Sequence, residues 1–437
     1  METRSVVRNA GWIIGARVVQ MLLGLFVTAW TARFLGPSNI GVIDYVDSYT
    51  SFFLAVATLG LNNTIVKSLM DHKDKPGTVL GTAILMRIIS SVLCSVVVVS
   101  MVSAINHGDR IFTMTAVLLS LAMIFQSFEM FYYWYQSRLE SRTSSIIQTI
   151  AYVIVAAYRI FCLISSKNVL WFAFANSLDS IVIALLLYIT YKHQHPEGVS
   201  WDTSLAKEML SKSHHFIWSG VMVALYSQMD KIMIKGWMDT TAVGYYGIAL
   251  GINSMWGFVL QAIIDSMYPT IVEAYNDGNK QEYYSRIRTL YATELSFSAA
   301  VSLLITILAR PIIMILYGEQ YLPSVSCLRI STWINTFAYL GVARGAWMVC
   351  EDNQVYQKYI LGIGAVTNFV LNSLMIPRMG IYGAALATVI TQIMTSAAAP
   401  LFFKATRENT RLIMESLKPS VLKHVMTALK QMRKKDK

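Results

Sequence analysis

Apolar stretches of about 20 residues recur from one end of this 437-residue chain to the other, each long enough to cross roughly 30 Å of hydrocarbon. Nothing else in the sequence constrains the fold as strongly. In hydrocarbon every backbone N–H and C=O must be satisfied internally, so stretches of this kind must become helices. Only 14% of the residues are charged and 55% are hydrophobic, whereas a soluble chain carries about 25% charged residues. The expected fold is an all-α polytopic membrane protein.

Twelve spans are expected, at 10–34, 38–63, 79–103, 111–137, 143–165, 169–191, 214–236, 243–270, 289–317, 324–350, 355–376 and 379–403. The second is rich in polar residues. No cleavable signal peptide is expected, because the first run is too long and its exit at FLGPSN lacks a small-x-small site. Cys94, Cys162, Cys327 and Cys350 fall inside spans, without the spacing of a metal site or a disulfide framework, and read as packing residues.

With the N-terminus inside, the inner segments and tail hold 24 of the 36 Lys and Arg residues, and the outer loops hold seven. Both termini are therefore expected in the cytoplasm. The net charge of +11 follows from topology, and no nucleic-acid partner is expected.

The longest internal polar stretch, 192–213, divides the spans six and six. Sliding the first half by 203 residues superposes the spans and aligns RFLGPSNIGVIDY from Arg33 with GWMDTTAVGYYGI from Gly236. An even number of spans gives both halves one orientation, as in parallel repeats related by an axis along the membrane normal. The expected organisation is a six-helix bundle at 1–191, a cytoplasmic linker at 192–213, a second bundle at 214–403 and a basic tail at 404–437.

Polar residues form stripes inside several spans. In the second, Asp44, Asp47, Ser48, Ser51, Thr58 and Asn62 share one helical face, and in the first Arg17, Gln20, Gly24, Thr28 and Thr31 do the same. The seventh carries Ser219, Tyr226 and Asp230; the eighth carries Ser254, Gln261 and Asp265. Unsatisfied polar groups facing lipid cost several kcal/mol, so these stripes either seal helix to helix or line a water-filled cavity.

Five bases also fall inside spans: Arg17, Arg87, Arg159, Lys231 and Arg344. Each costs about 3 kcal/mol at the bilayer centre on insertion scales. Arg159 and Lys231 lie near the outer surface, where a long side chain can reach the headgroups. Arg17 and Arg87 lie about two turns inside, roughly 10–12 Å, and are expected to face a cavity; Arg344 is intermediate. A cationic cavity calls for an anionic ligand, and guanidinium forks match phosphate oxygens. The expected substrate-binding set is Arg17, Arg87, Arg344, Gln20, Asp44, Asp47 and Ser51. Glu129, Asp179 and Asp230 are read as partners of the bases or as a site for a coupling H⁺ or Na⁺; no other cofactor is expected. Asp230 and Lys231, adjacent in YSQMDKIMIKGW, point about 100° apart on a helix and cannot neutralise each other.

The six-plus-six spans, FLGPSNIGVIDY after the first, and DKIMIKGWMDTTAVGYYGIA across the seventh and eighth together resemble bacterial polysaccharide flippases of the O-antigen type. These belong to the multidrug/oligosaccharidyl-lipid/polysaccharide exporter (MOP) superfamily. The resemblance covers nearly the whole chain. It implies a fold like that of the multidrug-and-toxin-extrusion (MATE) transporters, with two six-helix bundles around a cavity lined by spans one, two, seven and eight. It also implies a plasma-membrane protein that moves an undecaprenyl-pyrophosphate-linked oligosaccharide outward, with membrane lipids, a polysaccharide polymerase and other export proteins as candidate partners. Asp230 and Lys231 match the family's Asp-Lys element.

A multidrug/cation antiporter of the same fold would favour an acidic, aromatic cavity. A lipid II or other lipid-linked glycan flippase is a nearer alternative. A membrane polymerase or ligase should carry a large outer loop with catalytic residues, and no Gly-x-Ser-x-Gly, His-Glu-x-x-His, P-loop or Asp-x-Asp pattern is present. No enzymatic activity is expected. In the tail, Leu422, Val425, Met426, Leu429 and Met432 beside Lys423, Lys430, Arg433, Lys434 and Lys435 read either as a basic amphipathic helix on the inner leaflet or as a solvated topological anchor. The aromatics FYYWY, Phe131 to Tyr135, are expected in the inner interfacial belt.

Overall fold

The computed structural model describes residues 24–72, 74–138, 140, 142–194, 198–419 and 421, with helical backbone alone for 2–23 and 141. The side chains of Arg17 and Gln20, and the expected tail helix from Leu422, lie outside the described residues. Among the described residues there is no strand.

The helices run in order α1 (Glu2–Ala57), α2 (Ile65–Asp71), α3 (Pro76–Ile105), α4 (Arg110–Phe125), α5 (Met130–Ser137), α6 (Ser141–Ile164), α7 (Val169–Gln194) and α8 (Thr203–Trp237). They continue as α9 (Thr240–Ser254), α10 (Gly257–Asn276), α11 (Lys280–Leu316), α12 (Ser324–Ser331), α13 (Trp333–Cys350), α14 (Gln357–Met379), α15 (Ile381–Ile393) and α16 (Arg407–Ser416). Nine helical segments among the described residues are long and apolar enough to cross a membrane unaided. The remaining expected spans have local explanations. The first and second are joined within α1, whose described part begins at Gly24. The seventh lies in α8, which carries Asp230, Lys231 and Lys235. The tenth is divided at Thr332 into α12 and α13.

The turn FLGPSN is a break inside α1. Gly36 adopts φ 75°, ψ 167°, a region essentially closed to residues with a Cβ, and Pro37 then contributes no N–H to the helix.

The surface is apolar where a soluble protein would be polar. Leu93 is 63% exposed, Ile164 80%, Ile307 65% and Val366 65%. A lipid environment satisfies such a surface, and the polar residues are turned inward.

The chain divides into two compact units, Met1–Ile232 and Met233–Lys437. In the first, Phe131, Trp134 and Tyr135 of α5 pack with Tyr191 of α7 and with Leu61, Ile65 and Leu80. The Phe131 and Tyr191 rings are 4.6 Å apart. This corrects the interfacial-belt expectation: α5 is short and enclosed, so Phe131, Trp134 and Tyr135 are core residues, while Tyr132 and Tyr133 are half-buried. The polar stretch expected as a linker is partly helical, since α7 continues to Gln194 and α8 starts at Thr203. Between them, Ser200 and Asp202 lie along the start of α3. Ser200 N donates to Gly77 O at 3.3 Å, and Asp202 N donates to Thr82 Oγ1 at 3.1 Å. Gly81 leaves no room for a Cβ against the Ser200 backbone, so glycine permits this close approach.

In the second unit, Tyr283, Ile287, Leu290 and Tyr291 of α11 pack with Leu340, Ala343 and Trp347 of α13 and with Leu412 and Ile413 of α16. A π-helical turn at Met394–Ala398 follows α15.

Candidate functional site: a polar chain inside the first unit

The second half of α1 turns its polar stripe toward α8. Lys231 Nζ lies 3.9 Å from Asp44 Oδ1, with both side chains mostly shielded, at 15% and 26% exposure. Asp230, the adjacent residue, is 2% exposed and has partners of its own. The two neighbours point about 100° apart on α8, so Lys231 turns to Asp44 and not to Asp230.

One turn along α1, Asp47 accepts from Thr50 Oγ1 and Ser51 Oγ, each at 3.3 Å. Asp44, Asp47, Thr50 and Ser51 border a cavity of about 200 Å³ that Gln126 and Asn176 also line. Asn176 opens onto a second cavity of about 270 Å³, with Tyr152, Arg159 and Asp179. There Arg159 Nη2 donates to Asn176 Oδ1 at 2.7 Å. Asn176 thus borders both the cavity of Asp44 and Asp47 and that of Arg159 and Asp179. Sequence reasoning missed Asn176, although its spacing from Asp179 places both on one face of α7.

Ser51 also borders an open groove of about 490 Å³ between α1 and α8. Thr58, Asn63, Ser219, Ser227 and Gln228 give this groove a polar line, while Leu54, Phe216 and Val223 keep the rest apolar. Ser51 therefore lines both the polar interior cavity and the amphipathic groove.

The other sequence-predicted bases are placed elsewhere. Arg87 is 1% exposed, and its Nη1 donates to Asn62 Oδ1 at 3.3 Å. Glu129 borders its own cavity of about 210 Å³, with Tyr132, Tyr133, Ser145 and Gln148. Arg344 belongs to the second unit and is also 1% exposed. Its Nη1 donates to Thr395 O at 2.6 Å and its Nη2 to Gln357 Oε1 at 3.2 Å, so it serves the carbonyls that the π-helical turn leaves free. Arg87 and Arg344 thus lie in separate units, each enclosed.

Among the described residues the expected cationic cavity is mixed in charge: Lys231 pairs with Asp44 beside Asp47, Arg159 shares a second cavity with Asp179, and Arg87 and Glu129 stand apart from both. The loose 3.9 Å pair of Lys231 and Asp44 can exchange partners. No cluster of His, Cys, Asp and Glu able to hold a metal ion occurs among the described residues.

A family model described as "Polysaccharide biosynthesis protein" matches residues 6–275, and one described as "MatE" matches 217–374. A probable flippase of Haloferax volcanii, AglR, is 21% identical over 406 residues, covering 88% of this chain and 80% of that protein. A multidrug resistance MATE family transporter of the MOP superfamily, solved in its inward-facing conformation, shares the fold with a TM-score of 0.69. The identity is 15%, over 91% of this chain and 96% of that one. The lipid II flippase MurJ, in an inward closed conformation, gives a TM-score of 0.65 at 14% identity, over 94% of this chain and 91% of that one. With the polysaccharide model spanning more than half of the residues, the chain belongs to the polysaccharide biosynthesis protein family and is a multi-pass membrane protein with a MATE-like fold.

Proposed function

We propose that this protein is a flippase for lipid-linked glycans. Its substrate is an oligosaccharide repeat unit on undecaprenyl pyrophosphate, moved from the cytoplasmic to the outer leaflet of a bacterial plasma membrane. The observation that carries this reading is the groove between α1 and α8, which has both polar and apolar lining residues and shares Ser51 with the interior cavity. An amphipathic passage suits a substrate whose head must leave water and whose tail must stay in lipid. Both termini lie in the cytoplasm on this reading, as the distribution of bases requires.

In the mechanism we infer, Asp44 holds Lys231 while the carrier is empty, and the substrate's pyrophosphate competes for that amine, with Arg17 as a second cation. At 3.9 Å the pair is loose enough to be exchanged for a pyrophosphate oxygen. The two six-span halves then rock about the repeat axis and release the head group outside. A polysaccharide polymerase is the partner that would consume the product.

Deleting the gene in its host and weighing the lipid-linked intermediates tests the proposal. A single repeat unit should accumulate on its carrier and surface polysaccharide should disappear. Unchanged polysaccharide would overturn it.

A second reading, a cation-drug antiporter of the same fold, draws on Asp44, Asp47, Asp179 and Glu129 in the first unit. Deletion would then alter sensitivity to cationic drugs and leave surface glycans intact.

A further inference from the structure

One acid escaped the sequence reading. Glu294 lies on α11 in the second unit, 1% exposed, and neither carboxyl oxygen has a hydrogen-bond partner among the described residues. It belongs to a buried polar stripe. Tyr283, Tyr291, Glu294, Ser298 and Ser302 are each at most 1% exposed. Their spacing places them within about 100° of one another on α11, along about 28 Å of its axis. On one side of Glu294, Tyr291 donates its hydroxyl to Asn409 Oδ1 on α16. On the other, Ser298 Oγ donates to Glu294 O at 2.6 Å. One turn further, Ser302 Oγ donates to Thr332 O at 2.9 Å and lies 3.2 Å from Thr336 Oγ1.

Among the described residues, no base forms an ion pair with this carboxyl. On the helices packed against α11, Asp265 accepts from Gln261, Glu273 pairs with Arg286, and Arg329 and Glu319 are exposed. Arg344 is bonded to Thr395 and Gln357. Glu415 is shared by Arg288 and Arg411, and Glu408 acts on Tyr284. On α11 itself, Arg310 is exposed. An ionised carboxylate without partners in such a place costs several kcal/mol, and a glutamine or methionine of similar size would avoid that cost. An uncompensated acid inside a membrane protein is by default a functional group.

We propose that Glu294 is a proton-carrying site of the second unit, loading and releasing one proton in each transport cycle. Shut away from water, as here, it holds the proton in its carboxyl O–H. When the transport cycle admits water along the Tyr291–Ser302 stripe, that O–H bond breaks, the proton passes to water and the carboxylate keeps the electron pair. Protonation from the opposite side restores the starting state. The ligand class is the proton, and the coupling to export rests on the flippase reading above.

Two readouts test the site on the full-length protein in liposomes and in cells. Infrared spectroscopy of the reconstituted protein at neutral pH should show the carbonyl stretch of a protonated, apolar carboxyl, absent in Glu294→Gln and present, displaced, in Glu294→Asp. In cells lacking the chromosomal copy, export by the wild type should respond to an imposed proton gradient. Glu294→Gln should lose that response, and Glu294→Asp should retain part of it. A wild-type spectrum without the band, a band that survives Glu294→Gln, or a gradient response in Glu294→Gln equal to that of the wild type would overturn the proposal. The band tests the site whether or not glycan moves, so a wild type that exports no glycan yet shows a Glu294-dependent band would sink the flippase reading and leave the proton site standing.

Discussion

Lys231 on α8 holds its Nζ 3.9 Å from Oδ1 of Asp44 on α1, joining the seventh expected span to the second within one compact unit. Both side chains are mostly shielded, so neutralising one leaves the other charge poorly compensated and should lower stability measurably. Export should suffer beyond that loss. Lys231→Ala is expected to abolish it and Asp44→Asn to reduce it, per molecule of inserted protein. The exchanged pair, Lys231→Asp with Asp44→Lys, should recover part of the activity. Surface glycan per molecule of inserted protein is the measurement; full activity in Lys231→Ala would remove the amine from the mechanism.

Arg344 should behave in the opposite way. Its guanidinium serves Thr395 O and Gln357 Oε1 in a closed interior, so Arg344→Met leaves acceptors bare at about 1–3 kcal/mol each. Lysine cannot reproduce the fork, and Arg344→Lys should rescue little. Thermal unfolding in detergent should show a clear loss for both variants. A stable Arg344→Met protein that fails only in export would return this residue to the substrate path.

Gly36 sits in a backbone region that a Cβ makes costly. Gly36→Ala should destabilise the first unit by about 1–3 kcal/mol, seen as lower yield of inserted protein and a lower unfolding temperature. Unchanged stability would mean that the α1 break tolerates a side chain there.

Asp202, outside the spans, caps α8 by accepting from Ser204 N at 2.8 Å and Leu205 N at 3.1 Å. Hydrogen bonds from the Ser204 hydroxyl and from these backbone groups hold its carboxyl below the ordinary range. A depressed folded-state value contributes stability above the unfolded value, and that contribution is lost as pH falls through the folded value. Amide protection in the first turn of α8, corrected for intrinsic exchange, should therefore fall below about pH 4. Asp202→Asn, which keeps an acceptor without the titration, should not show this fall. Identical pH profiles would exclude the cap as the titrating group.

The apolar runs and the LGP turn made the helical order legible before any coordinates, because hydrocarbon length and glycine conformation are local properties. The pairings were not local. That Lys231 meets Asp44 depends on how α8 packs on α1, which periodicity cannot supply. Arg344 was misplaced toward the ligand because its acceptor at Thr395 is a backbone carbonyl, invisible in a list of side chains. Phe131, Trp134 and Tyr135 looked interfacial because burial in a short helix leaves no trace in hydropathy. Glu294 passed unnoticed beside Tyr291 and Thr293, where an acid near a span end reads as a headgroup contact. Asn176 could have been found by extending the stripe test to α7.

The most direct test of the transport claim uses purified protein in liposomes that contain the lipid-linked repeat unit recovered from the deletion strain. The quantity measured is the fraction of that glycan reached by a membrane-impermeant modifying reagent over time. The account predicts that glycan crosses faster than in protein-free liposomes and that Lys231→Ala removes the difference. Crossing no faster than in protein-free liposomes, while the same vesicles exchange cationic dyes, would contradict it.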